Sequence, residues 1–430
     1  MPVPLDRLRI FSIRGVQMRT FHLAWLMFFT CFFGWFGLAP LMPTIRADLG
    51  LSKSQVGNTI IASVTATIVA RLVAGRLCDT IGPRKTAVWL LVLGAIPVMG
   101  VSLAWDYTSF LLFRLAIGVI GASFVITQFH TAVMFAPQIK GTANAVAGGW
   151  GNLGGGVTNI VMPLVFSAIL ACGYTAGEAW RYAMLLPGVL LLAVAWLYWK
   201  YTKDTPAGNY SETGHAANKQ PLQWAVLADW RIWALTLAYA MCFGMEITFD
   251  NVAVLHFVDS FELSQNTAGL WAGAFGLMNV FARALGGIWS DKAGLRAGLR
   301  GKGIFLAVLL LLEGAGLLLF AHAGSLTAAV ICMLSFALFL KMANGATYGI
   351  VPFINPHHTG LVSGVVGAGG NVGGMVFGFL FKSESLTYTD AFVYIGCMVI
   401  VAAVIVAFTR FQQKEREIHS SRKAQNTLNF

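Results

Sequence analysis

Twelve mostly apolar stretches, each about twenty residues or longer, follow one another along this chain with short polar breaks between them. A helix of about twenty residues spans the roughly 30 Å hydrocarbon core of a bilayer. Inside lipid every backbone N–H and C=O must be satisfied within the chain, which leaves helices or closed barrels. The runs are continuous rather than alternating in polarity, so they read as helices. They lie near 20–42, 53–77, 86–105, 108–135, 141–170 and 180–201, and again near 230–257, 266–290, 303–322, 325–354, 359–381 and 390–409. Only 11% of the residues are charged and 57% are hydrophobic, whereas soluble domains carry about 25% charged residues. An all-α, multi-pass membrane protein is expected, with the lipid bilayer as its solvent.

The net charge is +11, from 29 Lys and Arg against 18 Asp and Glu, and its placement decides what it means. Basic residues gather before the first stretch (Arg7, Arg9, Arg14, Arg19), at Arg84 and Lys85, and at Lys200, Lys203 and Lys219. They recur at Lys292, Arg296, Arg300 and Lys302, and at Arg410, Lys414, Arg416, Arg422 and Lys423. These are alternate connections, the pattern of the positive-inside rule, so both termini are expected in the cytoplasm and no nucleic-acid partner is called for. Cys31, Cys78, Cys172, Cys242, Cys332 and Cys397 lie in or beside apolar stretches with no CxxC pair and no histidine cluster. Neither disulfides nor a metal nor a cofactor is therefore expected. The amino-terminal region lacks a small-residue cleavage site, so its first apolar stretch is expected to stay in the membrane.

The polar segment 202–229 divides the chain into 1–201 and 230–430, with six stretches in each part and a basic tail after the last. The two parts repeat each other. Ala70, Arg71, Gly75, Asp79, Gly82 and Arg84 recur 212 positions later as Ala282, Arg283, Gly287, Asp291, Gly294 and Arg296. Gly148, Gly151, Asn152, Gly154 and Gly155 recur 219 positions later as Gly367, Gly370, Asn371, Gly373 and Gly374. Two six-helix bundles related as a parallel repeat are expected, with a substrate site between them near mid-membrane, which is a secondary-transporter pattern.

Arg71 and Arg283 each lie eight residues deeper than an acidic helix end, Asp79 or Asp291. Eight residues of helix rise about 12 Å, which reaches close to the bilayer centre. An arginine there is costly and cannot escape by losing its proton. Two permanent cations facing one cavity point to an anion bound between them. A purely structural reading would pair each with Glu246, Asp250 or Glu313 on another helix; it leaves unexplained why both halves keep the arginine. The glycine strips suit close approach and sliding of helices. Asn152 and Asn371 within them can donate an amide N–H to an anion where water is absent.

At this point the residues resemble a known family. Gly75-x-x-x-Asp79-x-x-Gly82-x-Arg84-Lys85 is similar to the cytoplasmic loop motif of the major facilitator superfamily, and Arg114-x-x-x-Gly118 to a second motif of it. Thr80 and Pro83 stand where that loop motif usually has basic residues, so the gate formed by Gly75, Asp79, Gly82 and Arg84 departs from the pattern in detail. The paired Gly/Asn strips resemble the nitrate signatures of the nitrate/nitrite porter family, and Arg71 and Arg283 fall where that family holds its substrate. The resemblance covers the whole membrane region. It implies a major facilitator fold of twelve transmembrane helices. It also implies that Phe124, Tyr239 and Phe243 surround the anion, with Gly148 and Gly367 heading the two strips.

The expected function is a secondary active transporter for nitrate, with nitrite the close alternative, working by alternating access in a bacterial inner membrane as a monomer. The stretch Phe243–Asn251 resembles the branch that includes proton-coupled uptake, so nitrate/proton symport is expected. Glu246, Asp250, Glu313, Lys341 and His130 are the intramembrane groups able to carry that proton. Nitrate/nitrite antiport and carriage of another small anion are the competing readings. A sensor or enzyme would need a signalling domain or a catalytic constellation, and neither is apparent.

Overall fold

The computed structural model describes residues 4–213, 224–355 and 359–411. Lys219, Lys414, Arg416, Arg422 and Lys423 lie outside these residues, as does part of the 202–229 segment. Eleven apolar spans are long enough to cross a membrane among the described residues, and one of them, Gln265–Ala321, runs to 57 residues. That length would be about 85 Å of straight helix, far more than a bilayer holds. It turns back at Ala297 (φ −137°) and Gly298 (φ 59°, ψ −152°), a backbone conformation that favours glycine. It therefore supplies two helices, and the described chain crosses twelve times.

The helices are α1 (Val16–Trp35), α2 (Lys53–Ile81), α3 (Pro83–Gly100), α4 (Tyr107–Met134), α5 (Pro137–Ala171) and α6 (Ala176–Tyr201). They continue as α7 (Trp230–Phe261), α8 (265–296), α9 (299–321), α10 (Leu326–Tyr348), α11 (Thr359–Lys382) and α12 (Tyr388–Phe408). The break expected between 290 and 303 is thus helical except at Ala297 and Gly298. The first four N–H groups of a helix have no partner within it, and the two ends of the bundle meet that need differently. Each even-numbered helix that starts at the face opposite the first residues opens on a side-chain cap: Ser52, Asp106, Thr175, Ser264, Ser325 and Thr387. These oxygens each accept from a first-turn N–H. At the face from which α1 starts, here the terminal face, α3 and α5 begin with Pro83 and Pro137, which have no N–H to satisfy, while α7 opens on Asp229, whose side chain accepts from the Arg231 N–H.

α1 and α7 are the most buried spans, with 83% of each apolar window covered. The repeat seen in the sequence is repeated in the packing. A methyl on Gly154 of α5 would stand 2.1 Å from the Phe29 carbonyl oxygen of α1, and one on Gly373 of α11 would stand 2.0 Å from the Ala240 carbonyl oxygen of α7. The strips were expected to serve as sliding surfaces. At these positions they instead weld two helices of the same half, because a hydrogen at Cα is all the crossing admits. Contact between the halves comes from other glycines of the strip: Gly149, Gly155 and Gly156 meet Asn279, Asp250 and Gly276. Gly373→Ala is expected to destabilise the fold by about 1–3 kcal/mol, the usual cost of overpacking a tight core. Thermal unfolding of the detergent-purified variant checks this, and an unchanged transition would show that α7 and α11 can separate freely.

Candidate anion site between the two halves

Arg71 of α2 and Arg283 of α8 are both buried, each 6% exposed. Their guanidinium carbons each lie 5.8 Å from the centre of the Phe243 ring on α7, so they are no more than about 12 Å apart, twice that distance. Their partners differ. Arg71 donates from Nη1 to the Gly367 carbonyl at 3.1 Å, crossing from one half to the other, and from Nε to the Gly121 carbonyl at 3.4 Å. Its Nη2 is buried with no partner, and no described carboxylate pairs with it. Arg283 donates from Nη2 to Glu246 Oε2 at 3.1 Å and keeps an unpartnered buried Nε. Two unneutralised cations were expected; one of them carries a counter-charge from within the protein.

The aromatic residues close a ring around Arg71. Its guanidinium lies 5.2 Å from the Phe124 ring of α4, a distance at which a cation is attracted to the π face. Phe124 meets Tyr348 edge-on at 6.2 Å, Tyr348 meets Tyr239 edge-on at 5.0 Å, and Tyr239 stacks on Phe243 at 5.0 Å and 11°. Tyr348, at the end of α10, was missed in the sequence because an aromatic there has no feature separating it from core. Gly148 lies against Phe124, and a methyl on Gly367 would come within 3.0 Å of the Tyr348 hydroxyl. Asn371 Nδ2 approaches the Gly367 carbonyl at 3.4 Å, and its Oδ1 is unpartnered. Asn152, one turn beyond Gly148, is 2% exposed with neither side-chain atom bonded, and the Tyr239 hydroxyl is buried without a hydrogen bond.

Glu246 of α7 is the hub of the second half. Its carboxylate accepts from Arg283, from Lys341 Nζ at 3.0 Å, from Asn279 Nδ2 at 2.6 Å and from Asn344 Nδ2 at 2.6 Å. Lys341 is fully buried and lies 4.1 Å from the Phe275 ring. Asn279 and Asn344 were not singled out beforehand; an amide inside an apolar run was the available signal. Glu313 of α9 has both oxygens unpartnered, and Asp250, one turn beyond Glu246, has an unpartnered Oδ1. His130 stands apart, its ring nitrogens 2.6 Å from the Tyr198 hydroxyl and 2.7 Å from the Lys203 carbonyl.

Near the terminal face, Gly82 takes φ 92° with the Asp204 carboxylate directly over it. That carboxylate accepts from the backbone N–H of Arg84 and Tyr210 at 2.9 and 3.1 Å. The Arg84 guanidinium lies 4.1 Å from the Trp199 ring and donates to the Trp199 carbonyl. The loop motif thus fastens α3 to the loop after α6. In that loop the Asn209 backbone N–H, followed by Lys203, holds the Glu212 carboxyl down to about 2. Gly75 of the same motif faces Val125 of α4, and Asp79 lies one turn beyond it.

Polar contacts between the halves gather at the opposite face. Arg46 donates to Asp259 at 2.8 and 2.7 Å through both nitrogens of its fork, and Thr44 donates to Gln265 at 2.7 Å. Ser54 N–H donates to Glu384 at 2.9 Å, and Lys53 donates to the Leu386 carbonyl. Deeper on the same side, Arg114 Nη2 of α4 donates to Asn251 Oδ1 of α7 at 3.0 Å. These contacts hold that side shut.

Comparison with known proteins adds the following. Residues 24–378 match the family model described as the Major Facilitator Superfamily. "High affinity nitrate transporter 2.5" of Arabidopsis thaliana is 38% identical over 414 residues, 94% of this chain and 82% of that protein. "Nitrate/nitrite transporter NrtP" of Picosynechococcus is 28% identical over 462 residues, 86% of this chain and 85% of that protein. Among solved structures, a bacterial homologue of the human lysosomal transporter Spinster, inward-facing and occupied, superposes with a TM-score of 0.71 at 15% identity, covering 91% of this chain and 96% of that one.

Proposed function

Since the chain belongs to the nitrate/nitrite porter family of the major facilitator superfamily, we propose that it carries nitrate across its membrane by alternating access, driven by protons. One observation carries this reading: a buried arginine, Arg71, at the junction of the halves, with a free Nη2 and no carboxylate partner among the described residues. Nitrate is a planar monoanion, and a guanidinium edge matches two of its oxygens. Arg71 supplies the unneutralised charge and Arg283 a second donor edge. Asn152, Asn371 and the Tyr239 hydroxyl offer the remaining donors, while Phe124, Phe243 and Tyr348 exclude water and strengthen each contact. Because Arg71 already reaches Gly367 in the other half, an anion held on the same guanidinium joins the halves as it binds, which is what an alternating-access site requires.

The orientation rests on the basic residues Arg84, Lys85, Lys200 and Lys203, which favour a cytoplasmic terminal face. In that arrangement the chain works as a monomer of two bundles, 1–201 and 230–430, in a bacterial inner membrane, and the closed face is the outer one. The relatives from Picosynechococcus and Nostoc punctiforme named nitrate/nitrite transporters support nitrite as a second substrate of this chain. The deciding experiment is uptake of labelled nitrate by proteoliposomes with and without an inward proton gradient. Gradient-driven accumulation, competed by nitrite, is expected. Uptake that ignores the gradient and needs internal nitrite would make the chain an exchanger, and no flux of nitrate in either condition would overturn the substrate.

A further inference from the structure

Asp250 is the buried acid of the inter-half junction that makes no salt bridge with any described residue. It sits on α7 and is 4% exposed. Its Oδ2 lies over Gly155 of α5, in the other half, 3.0 Å from where a methyl would stand; its Oδ1 is buried without a donor. The charged groups around it are all engaged elsewhere. On its own helix Glu246 holds Arg283 and Lys341, and His256 meets Ser260 at 3.1 Å. Arg114 from α4 is held by Asn251 and the Trp35 carbonyl, and Arg46 by Asp259. On α5 the facing position is Gly155, which has no side chain, and Phe36 is the neighbour from the end of α1. Glu313 stands on α9, whose close neighbours Phe336 and Ile400 belong to α10 and α12 of its own half.

Resting on the carrier reading above, we propose that Asp250 is the proton-binding group and that Gly155 is its docking site. When the opposite face is open, α7 and α5 separate there and water solvates the carboxylate. Closing that face seats the side chain on bare helix backbone with no cation and no donor for Oδ1. An ionised carboxylate loses its water there and gains nothing in return, whereas the neutral acid has far less hydration to lose. Closure therefore selects the protonated form. The proton is taken from solution at the opposite face, travels on the carboxyl oxygen, and leaves to solution once opening of the terminal face lets water reach the carboxyl, after the anion has gone. A conformational step that differs in favourability between two protonation states is sufficient for coupling. A methyl at 155 would stand 3.0 Å from Oδ2, so even alanine would push the carboxyl off this seat by a few tenths of an ångström.

The test uses the full chain in proteoliposomes and labelled nitrate, with two readouts. One is accumulation under an inward proton gradient; the other is exchange against internal unlabelled nitrate at equal pH. For Asp250→Asn, a fixed neutral mimic, the ratio of accumulation to exchange is expected to fall about tenfold or more, since closure no longer depends on the proton. Exchange by the wild type should slow as both sides are made alkaline, and in Asp250→Asn it should not. A folded variant, judged by thermal unfolding, that still accumulates nitrate overturns the proposal. So does one that loses exchange together with accumulation, because the carboxyl would then serve nitrate itself. Asp250→Ser, smaller and equally neutral, is read the same way where the amide disturbs packing. Failure of the wild type to move nitrate would count against the substrate reading, whereas nitrate transport indifferent to the gradient would overturn proton coupling and its site together and leave the substrate standing.

Discussion

Arg71→Lys is expected to weaken nitrate transport by roughly ten- to a hundredfold, mainly through KM, while Arg283→Lys costs less affinity and more stability. The difference comes from the unequal partners of the two arginines. Arg71 spends Nη1 on the Gly367 carbonyl and holds Nη2 free among Phe124, Phe243 and Tyr348. Lysine keeps the positive charge but has no fork, so it cannot reach Gly367 and an anion oxygen with fixed geometry. A hydrogen bond to a charged group contributes about 1.5–3 kcal/mol, and each 1.4 kcal/mol is tenfold in affinity. Arg283 already shares Glu246 with Lys341, Asn279 and Asn344. An ammonium at 283 can stay in that cluster, although it leaves the cluster one donor poorer. Initial rates of labelled-nitrate uptake over a range of concentrations would separate KM from kcat for each variant. An unchanged KM in Arg71→Lys would place the anion elsewhere.

Much of this arrangement was legible in the sequence because membrane burial makes polar residues conspicuous. Twelve crossings follow from span length, and the two halves from a repeated Arg and Asn in register. What the sequence left open was partnership: Glu246 is one of three acids that could meet an arginine, and it could equally pair with Lys341. Arg283 and Arg71 occupy equivalent positions, and nothing local says that one is neutralised. Glu246 lies 37 positions before Arg283 and 95 before Lys341, and only the packing of α7 against α8 and α10 brings them together. The same limit hid Tyr348, whose role depends on Phe124 from the other half. The glycine strips show a further difficulty. Gly154 and Gly373 look identical in kind to Gly155 and Gly156, yet the first pair faces a helix of its own half and the second pair faces the other half. A 3.6-residue period separates them by about 100° per step; deciding which side faces which neighbour requires the structure.

Glu246→Gln is expected to be the most destabilising single change in the second half, costing on the order of 3–5 kcal/mol, the usual loss when one member of a buried ion pair is removed. Four donors converge on this carboxylate, two of them cationic, and Glu246 itself is 2% exposed. An amide in its place offers one acceptor oxygen and turns two new N–H donors toward groups that are donors already. It also leaves Arg283 and Lys341 uncompensated in an apolar core. Two further measurements distinguish a charge effect from a packing defect. Adding Lys341→Met removes one of the stranded cations, so the double variant should recover part of the loss, a coupling of about 1–3 kcal/mol for residues in contact. Nitrate should also stabilise Glu246→Gln more than it stabilises the wild type, because an anion beside Arg283 then replaces the missing charge and shifts folding by mass action. Thermal unfolding of the wild type, Glu246→Gln, Lys341→Met and the double variant, with and without nitrate, gives all the required numbers. A double variant no more stable than Glu246→Gln alone would mean that the four contacts serve shape rather than charge, and an equal response to nitrate would separate this cluster from the anion site.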